Sequence, residues 1–319
     1  MANQKPKKSG KKADKPATQP EAKKEVKEVK ETAVTKETVT ASNENPMKGF
    51  FARKCDKNEN ILTIFKTPKI WGALIGEVIG TMLLVILLLV LSLLGAPQPL
   101  ILGLAVICIY LAVVGLSGAN LNPLITVGMM ATRRMSAIRG VLYILAQLLG
   151  GWLAMIVINA FRIGSGSTLN MPVMDALEGE TFWGIALIEL FGAIVLAFFF
   201  ARALRFARKS PLAFAMTIAS GLVLLDIVAY VISQGFFMVT ASYMFNPVAA
   251  LMHQILPTTA DNFGELAQAA GLAVAAYVLV PMVGGVIGFY LSDIATRLSS
   301  DGYACECDNP CHHNKELNK

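Results

Sequence analysis

The sequence predicts an all-α membrane protein with six transmembrane helices and two half-helices, arranged as an inverted repeat of three spans each. Hydrophobic residues make up 55% of the chain and charged residues only 16%. Long apolar runs recur along the chain, and two Asn-Pro pairs interrupt this pattern at corresponding places. These observations indicate a membrane protein with a duplicated core.

Six apolar runs approach the length of about 20 residues that a helix needs to cross the hydrocarbon layer. They cover residues 70–94, 100–116, 138–161, 182–203, 211–232 and 267–291. The second run is short, but it can continue as helix to the Ser117-Gly118 pair. The spans predict a membrane domain over residues 70–292, with one repeat at 70–161 and the other at 182–292.

The positions of Lys and Arg predict the orientation, because short cytoplasmic loops retain positive charge. The connections after spans two and four and the segment after span six are rich in Arg and Lys, whereas the other connections contain mainly acidic residues. Both termini are therefore expected to be cytoplasmic.

Residues 1–69 form a basic tail of alternating Lys, Glu, Ala, Thr and Pro with few large apolar residues before Met47. Such a composition cannot bury enough surface to fold, so we expect disorder and no signal peptide. Residues 47–69 are amphipathic, which fits either a solvated linker or an interfacial segment on anionic lipid. The positive net charge of +6 comes largely from this tail and does not indicate nucleic-acid binding.

The C-terminal tail, residues 293–319, contains a short stretch of soft and imidazole ligands. Such side chains can bind zinc or copper, but their spacing does not match a standard zinc finger. Both a metal site and a simple solvated tail remain open for this stretch. The residues concerned are Cys305, Cys307, Cys311, His312 and His313.

Each Asn-Pro pair predicts the start of a short helix within the membrane. Asn122-Pro123 follows the second span, and Asn246-Pro247 follows the fifth. Asn is a good N-cap residue and Pro is well tolerated at the first helical position. Irregular backbone at this depth is tolerated only where it is buried in protein or lines a water-filled cavity.

Three features occur in the same order in both halves of the chain. Glu77 and Glu189 each begin a Glu-x-x-Gly pattern inside a span, each half then has its Asn-Pro pair, and Gly-Gly pairs follow in spans three and six. Because each repeat has an odd number of spans, the second copy enters the membrane with opposite polarity. The two half-helix N-termini are therefore expected to meet near the midplane, where they disfavour cations and protons.

Together these motifs resemble the aquaporin and aquaglyceroporin (major intrinsic protein) family. The motifs are Glu-x-x-Gly-Thr, Ser-Gly-x-x-Leu-Asn-Pro, Ala-Gln-x-x-Gly-Gly, a second Asn-Pro and Pro-x-x-Gly-Gly-x-x-Gly, and they cover all of the chain except the tails. The resemblance implies a passive channel in the plasma membrane for water or small neutral solutes such as glycerol, assembled as a homotetramer. It also implies that the protein is not an enzyme and needs no cofactor.

The resemblance also implies roles for individual residues. Asn122 and Asn246 would be the donors at the midplane, Pro123 and Pro247 would pack the half-helix ends together, and Glu77 and Glu189 would brace the loops. In the family, Ala usually follows each Asn-Pro, whereas this chain has Leu124 and Val248.

The outer constriction departs from the family pattern further. Ala249 stands where the family usually has Arg, Leu102 stands where an aromatic residue is common, and Tyr243 is the contribution of the second loop. The contribution of span five cannot be placed more closely than between Leu222 and Tyr230. Losing the Arg removes a positive charge and several donors, so altered selectivity is expected.

An alternative hypothesis is a non-conducting membrane scaffold or adhesion protein on the same fold, suggested by the unusual constriction and the long charged tail. Two isolated polar residues have simpler interpretations. Asp226, within span five, is interpreted as a helix-end residue at the outer interface, and His253 as a packed or interfacial histidine.

Overall fold

The computed structural model describes residues 64–93, 97–164, 179–207, 209–237, 243–253 and 263–298. Within these ranges every regular element is helical. The predicted tail up to residue 63 and the C-terminal segment with the Cys and His residues lie outside the described residues.

The first half of the chain forms four helices: α1 (Pro68–Ser92), α2 (Pro99–Ser117), α3 (Pro123–Ala131) and α4 (Ala137–Gly164). Helices α1 to α3 each begin with Pro, which lacks an N–H that would have no partner at a first helical position. Helix α2 ends at Gly118, whose φ of 86° only glycine adopts readily. The chain then turns into the short α3.

The second half forms α5 (Gly179–Ala207), α6 (Pro211–Ile232), the short α7 (Pro247–Met252), α8 (Phe263–Val274) and α9 (Val280–Leu298). A π-helical turn, Ser233–Phe237, extends α6, and a second one, Ala275–Leu279, joins α8 to α9. Pro281 follows this second turn directly. Since Pro has no N–H for the ladder, the wider turn there has a clear local cause.

Six helical spans are long and apolar enough to cross a membrane. The predicted all-α fold of the aquaporin type is therefore confirmed. The spans extend beyond the apolar runs where charged residues continue the helix: α5 reaches Ala207 and so includes Arg202 and Arg205. Arg202 Nη1 donates to Thr296 Oγ1 of α9 over 2.9 Å, which ties the two helix ends together.

The helix contacts repeat between the two halves. Helix α1 packs on α2 and α4, and α5 packs in the same way on α6 and α9. The half-helices exchange partners, because α3 packs on α9 and α7 packs on α4. Each short helix is thus held by the third span of the opposite repeat, while α2 and α6 contact each other across the repeats.

The side chains that face outward are apolar, and several polar ones are buried. Trp71, Leu104 and Trp183 are 53%, 62% and 66% exposed, whereas Glu77, Gln147 and Glu189 are completely buried. This distribution is the reverse of a water-soluble protein and fits a lipid-facing exterior.

Candidate functional site: the junction of the two half-helices

Each half-helix begins with an Asn that caps its own backbone. Asn122 Oδ1 accepts from the Leu124 N–H, and Asn246 Oδ1 accepts from the Val248 N–H, both over 3.0 Å. Both Asn residues have extended backbone and precede the helical Pro. The amide oxygens are thereby fixed, and the amide nitrogens point away from the helices they cap.

The two amide nitrogens cross to the opposite loop. Asn122 Nδ2 donates to the Phe245 carbonyl oxygen over 2.7 Å, and Asn246 Nδ2 donates to the Leu121 carbonyl oxygen over 3.2 Å. Each amide therefore uses one N–H for the junction and has one left. The sequence interpretation had treated both Asn side chains simply as donors for a solute, and this reciprocal bonding was not foreseen.

The residues that supply these carbonyls have unusual backbone. Leu121 has a φ of 54° and Phe245 a φ of 47°, in the left-handed region that costs non-glycine residues about 1 kcal/mol or more. This conformation turns their carbonyls toward the opposite Asn. The surrounding contacts must therefore stabilise it.

Two buried carboxylates provide part of that stabilisation. Glu77 accepts from the Asn120 and Leu121 N–H groups over 3.0 and 2.9 Å. Glu189 accepts from the Met244 N–H over 2.7 Å and from the Phe245 N–H over 3.1 Å. In each repeat one Glu thus holds the two residues before the capping Asn, where the backbone is most strained.

The glycine three residues after each Glu makes room for the strained residue. A Cβ on Gly80 would collide with the Leu121 side chain, and a Cβ on Gly192 would collide with the Phe245 ring. The Glu-x-x-Gly pattern therefore serves one purpose at both ends. Its Glu binds the loop backbone and its Gly accepts the loop side chain.

A polar network supports only the first half-helix. Gln147 Nε2 donates to Glu77 Oε2 over 2.8 Å and to Thr126 Oγ1 over 2.9 Å. Asn120 Nδ2 also donates to Thr126 Oγ1. By the repeat, Ala250 and Pro281 stand where Thr126 and Gln147 do, so Glu189 has no such support from these two positions. Gln147 and Thr126 were not selected as site residues, although a Gln inside an apolar span was a usable signal.

The paired glycines explain how bulky residues fit after each Asn-Pro. A Cβ on Gly151 of α4 would collide with Val248, and one on Gly285 of α9 would collide with the Leu124 backbone. The neighbouring glycines contact the first span of their own repeat: a Cβ on Gly150 would lie 2.5 Å from the Val78 oxygen. Leu124 and Val248 are thus fully buried without separating the half-helices.

The residues predicted at the outer constriction do not all belong to one cluster. Leu102 is buried in a cluster against which Tyr243 packs, whereas Ala249 is fully buried in a second cluster with Val248 and Tyr277. Tyr243 stacks on Phe245 with 5.4 Å between ring centroids. We call this end of the molecule the Tyr243 end.

The Tyr243 hydroxyl donates to the Asp226 backbone oxygen over 2.9 Å, which fixes the ring against α6. Burial, and secondarily the nearby Asp226 charge, raises the pKa of Tyr243, so its hydroxyl stays neutral. Asp226 lies within the range in which the span-five contribution was expected. It is inside α6 and not at a helix end, contrary to the interpretation from the sequence.

The comparisons with known proteins now apply to this geometry. The family profile described as Major intrinsic protein matches residues 64–295. The chain belongs to the major intrinsic protein family. Members of this family are membrane channels, so the protein is an integral membrane protein of a channel family, as the sequence motifs predicted.

Among solved structures, this major intrinsic protein is similar to the aquaglyceroporin from Plasmodium falciparum, with 20% identity and a TM-score of 0.46. The match covers 71% of this chain and 95% of that one. A search of curated protein sequences finds no match.

Two further polar features of this family member lie apart from the junction. His253 follows α7 and is 1% exposed, and its Nε2 lies 3.3 Å from Ser92 Oγ. Burial lowers the pKa of His253. The Cys and His residues of the C-terminal tail lie outside the described residues, and the described part of the chain holds no group of His, Cys, Asp and Glu suited to a metal ion.

Proposed function

We propose that the protein is a passive channel for water and small neutral solutes such as glycerol, with a pore centred on Asn122 and Asn246. The observation that carries the proposal is the crossed pair of amide-to-carbonyl bonds between the two half-helix loops. These bonds fix two amide groups at one junction, each with a second N–H that a solute oxygen can accept.

The electrostatics of the junction favour neutral solutes. Two helix N-termini, each equivalent to roughly half a positive charge, face the same region. A cation or a proton is disfavoured there, whereas a hydroxyl oxygen can accept from Asn122 and Asn246. Glu77 and Glu189 are completely buried and engaged with the backbone of the loops, so we assign them a bracing role.

Selectivity is proposed to depend on the Tyr243 end. Leu102, Tyr243 and Ala249 would form the constriction, and its character is more apolar than one with an Arg. An apolar constriction slows water relative to solutes with carbon surface. Glycerol is therefore proposed to pass well beside water, with Leu124 and Val248 shaping the junction at the centre.

Assembly and location are part of the proposal. The basic residues Arg134, Arg205 and Lys209 lie near the ends of α3 and α5, which supports a cytoplasmic position for this face and for both termini. We propose a homotetramer in the plasma membrane, on the resemblance to the family, with a pore in each subunit.

Stopped-flow light scattering on proteoliposomes tests the proposal. Shrinkage under a sucrose gradient reports water, and re-swelling under glycerol reports glycerol, each against protein-free vesicles. We expect both rates to exceed the lipid background. Asn122→Asp keeps the capping oxygen but loses the amide donor and adds a charge, so both fluxes should fall about tenfold or more, as for about 1.4 kcal/mol.

Ser220→Ala is the matched control, because the Ser220 hydroxyl bonds only within α6, to the Met216 oxygen, and lies exposed on that helix. Its flux should equal that of the native protein. Rates at background for both solutes, with folded protein in the vesicles, would refute the channel and leave the scaffold hypothesis. Equal rates for Asn122→Asp and the native protein would remove Asn122 from the pore.

A further inference from the structure

Asp226 places a carboxylate inside a transmembrane helix at the Tyr243 end. It lies within α6, and its side chain is only partly buried. An ionisable group at this depth faces the bundle interior or a water-filled cavity, because contact with lipid tails is expensive. The remaining exposure of Asp226 therefore belongs to a polar route and not to the lipid surface.

The carboxylate has acceptor capacity to spare. The Gln98 N–H, at the start of α2, donates to it. A carboxylate offers about four lone-pair sites. Among the described residues, no Lys or Arg forms an ion pair with Asp226. Its negative charge is thus held in place but not neutralised by a neighbouring cation.

Two phenol groups lie beside this carboxylate. Tyr230 follows Asp226 by one helical turn on α6, so both side chains leave the same side of the helix. The Tyr243 hydroxyl, which bonds to the Asp226 backbone oxygen, is within electrostatic range of the Asp226 charge and of Tyr230. Its own oxygen keeps lone pairs free to accept.

We propose that Asp226, Tyr230 and Tyr243 form a binding subsite for ammonium and small primary ammonium cations. A carboxylate supplies the charge, and phenol oxygens accept the N–H groups that such a cation carries. Aromatic faces attract an ammonium group further. Sodium has no N–H to donate and is more strongly hydrated, so it gains less from this combination.

The subsite reverses the sign of charge at this end of the molecule. The position at which the family pattern has Arg holds Ala249, which is fully buried and apolar. The Tyr243 end therefore presents a negative group where a positive one was expected. That the subsite stands at a pore mouth rests on the proposed function, whereas binding itself does not.

The test is equilibrium binding of radiolabelled methylammonium to the purified full chain in detergent, at constant ionic strength with sodium as the replaced cation. The native protein should bind saturably. Asp226→Asn keeps an oxygen for the Gln98 N–H but loses the charge, and should weaken binding at least tenfold. Asp293→Asn, the same change of charge on α9, should leave affinity unchanged.

Tyr230→Phe provides a second comparison that does not require Asp226→Asn to fold. It should weaken binding about threefold through the lost phenol oxygen, while Tyr290→Phe, whose hydroxyl bonds to the Ala131 oxygen, should not. Absence of saturable binding to the native protein, or equal affinity in each variant and its control, overturns the subsite. Binding without solute flux would retain the subsite and refute the channel, and flux without binding would do the reverse.

Discussion

Val248 packs against Gly151 so closely that a Cβ at the glycine would occupy the position of a Val248 methyl group. The contact joins the half-helix α7 to α4, which belongs to the other repeat. Gly285 and Leu124 form the equivalent contact between α9 and α3. The two half-helices are therefore positioned by glycines that lie far from them in sequence.

Gly151→Ala should destabilise the protein by about 1–3 kcal/mol, because it overpacks a contact that cannot expand. The measurement is the thermal midpoint of the purified protein, followed by size-exclusion chromatography. Val248→Ala in the same chain should recover part of the loss. Gly115→Ala is the control: no atom lies within 4 Å of its added Cβ, so its midpoint should stay level or rise. A loss at Gly115 equal to that at Gly151 would refute the packing argument.

Gln147→Met should lower the free energy of unfolding by about 1–3 kcal/mol. The change keeps the length of the side chain but removes the donor that links Glu77 to Thr126. Thr126→Ala should cost less, since Gln147 keeps its bond to Glu77. Because both changes break the same Gln147–Thr126 bond, the double variant should lose less than the two single losses combined. Fully additive losses would show that this bond contributes nothing.

Arg134→Gln should destabilise the protein by about 1 kcal/mol, and the effect should shrink in high salt. Arg134 forms an ion pair with Asp293 of α9, and its guanidinium lies 5.5 Å from the Phe289 ring centroid. Thermal midpoints at low and high NaCl check this prediction. Lys209→Gln, at the exposed turn after α5, controls for the loss of one basic charge. The same salt response in both variants would contradict a specific role for the ion pair.

Stability should fall as the pH drops below about 6.5, the ordinary pKa of His. Burial lowers the pKa of His253 in the folded protein, so the unfolded chain takes up the proton first, and the loss ends when the folded pKa is reached. Ser92 Oγ donates to the Leu89 oxygen and so accepts from His253 Nε2, which leaves Nδ1 buried without a partner among the described residues. Protonation would add an unpaired N–H there.

Thermal midpoints of the native protein and His253→Gln between pH 8 and pH 5 test this linkage. The variant keeps an amide donor for Ser92 but does not titrate. Its midpoint should therefore depend less on pH over the window below 6.5. Identical pH profiles for the two proteins would mean that His253 contributes nothing to the acid sensitivity.

Much of the fold was predictable because its determinants are local. Apolar runs gave the six spans, and Asn-Pro gave the start of both half-helices at Pro123 and Pro247. The role of Asp226 was misread because its helix continues past it. Only its position beside Gln98 and Tyr243, from other parts of the chain, shows what it contacts.

The sequence by itself determined which segments are helical, that the chain is duplicated and that the copies are inverted, since hydropathy, caps and the parity of the spans are properties of the chain read in order. The tertiary structure alone decided which atoms meet. The bonds from Asn122 to Phe245 and from Asn246 to Leu121, and the contacts of Gly151 and Gly285, join opposite repeats. Such pairs depend on how helices pack in space, and no local pattern encodes that distance.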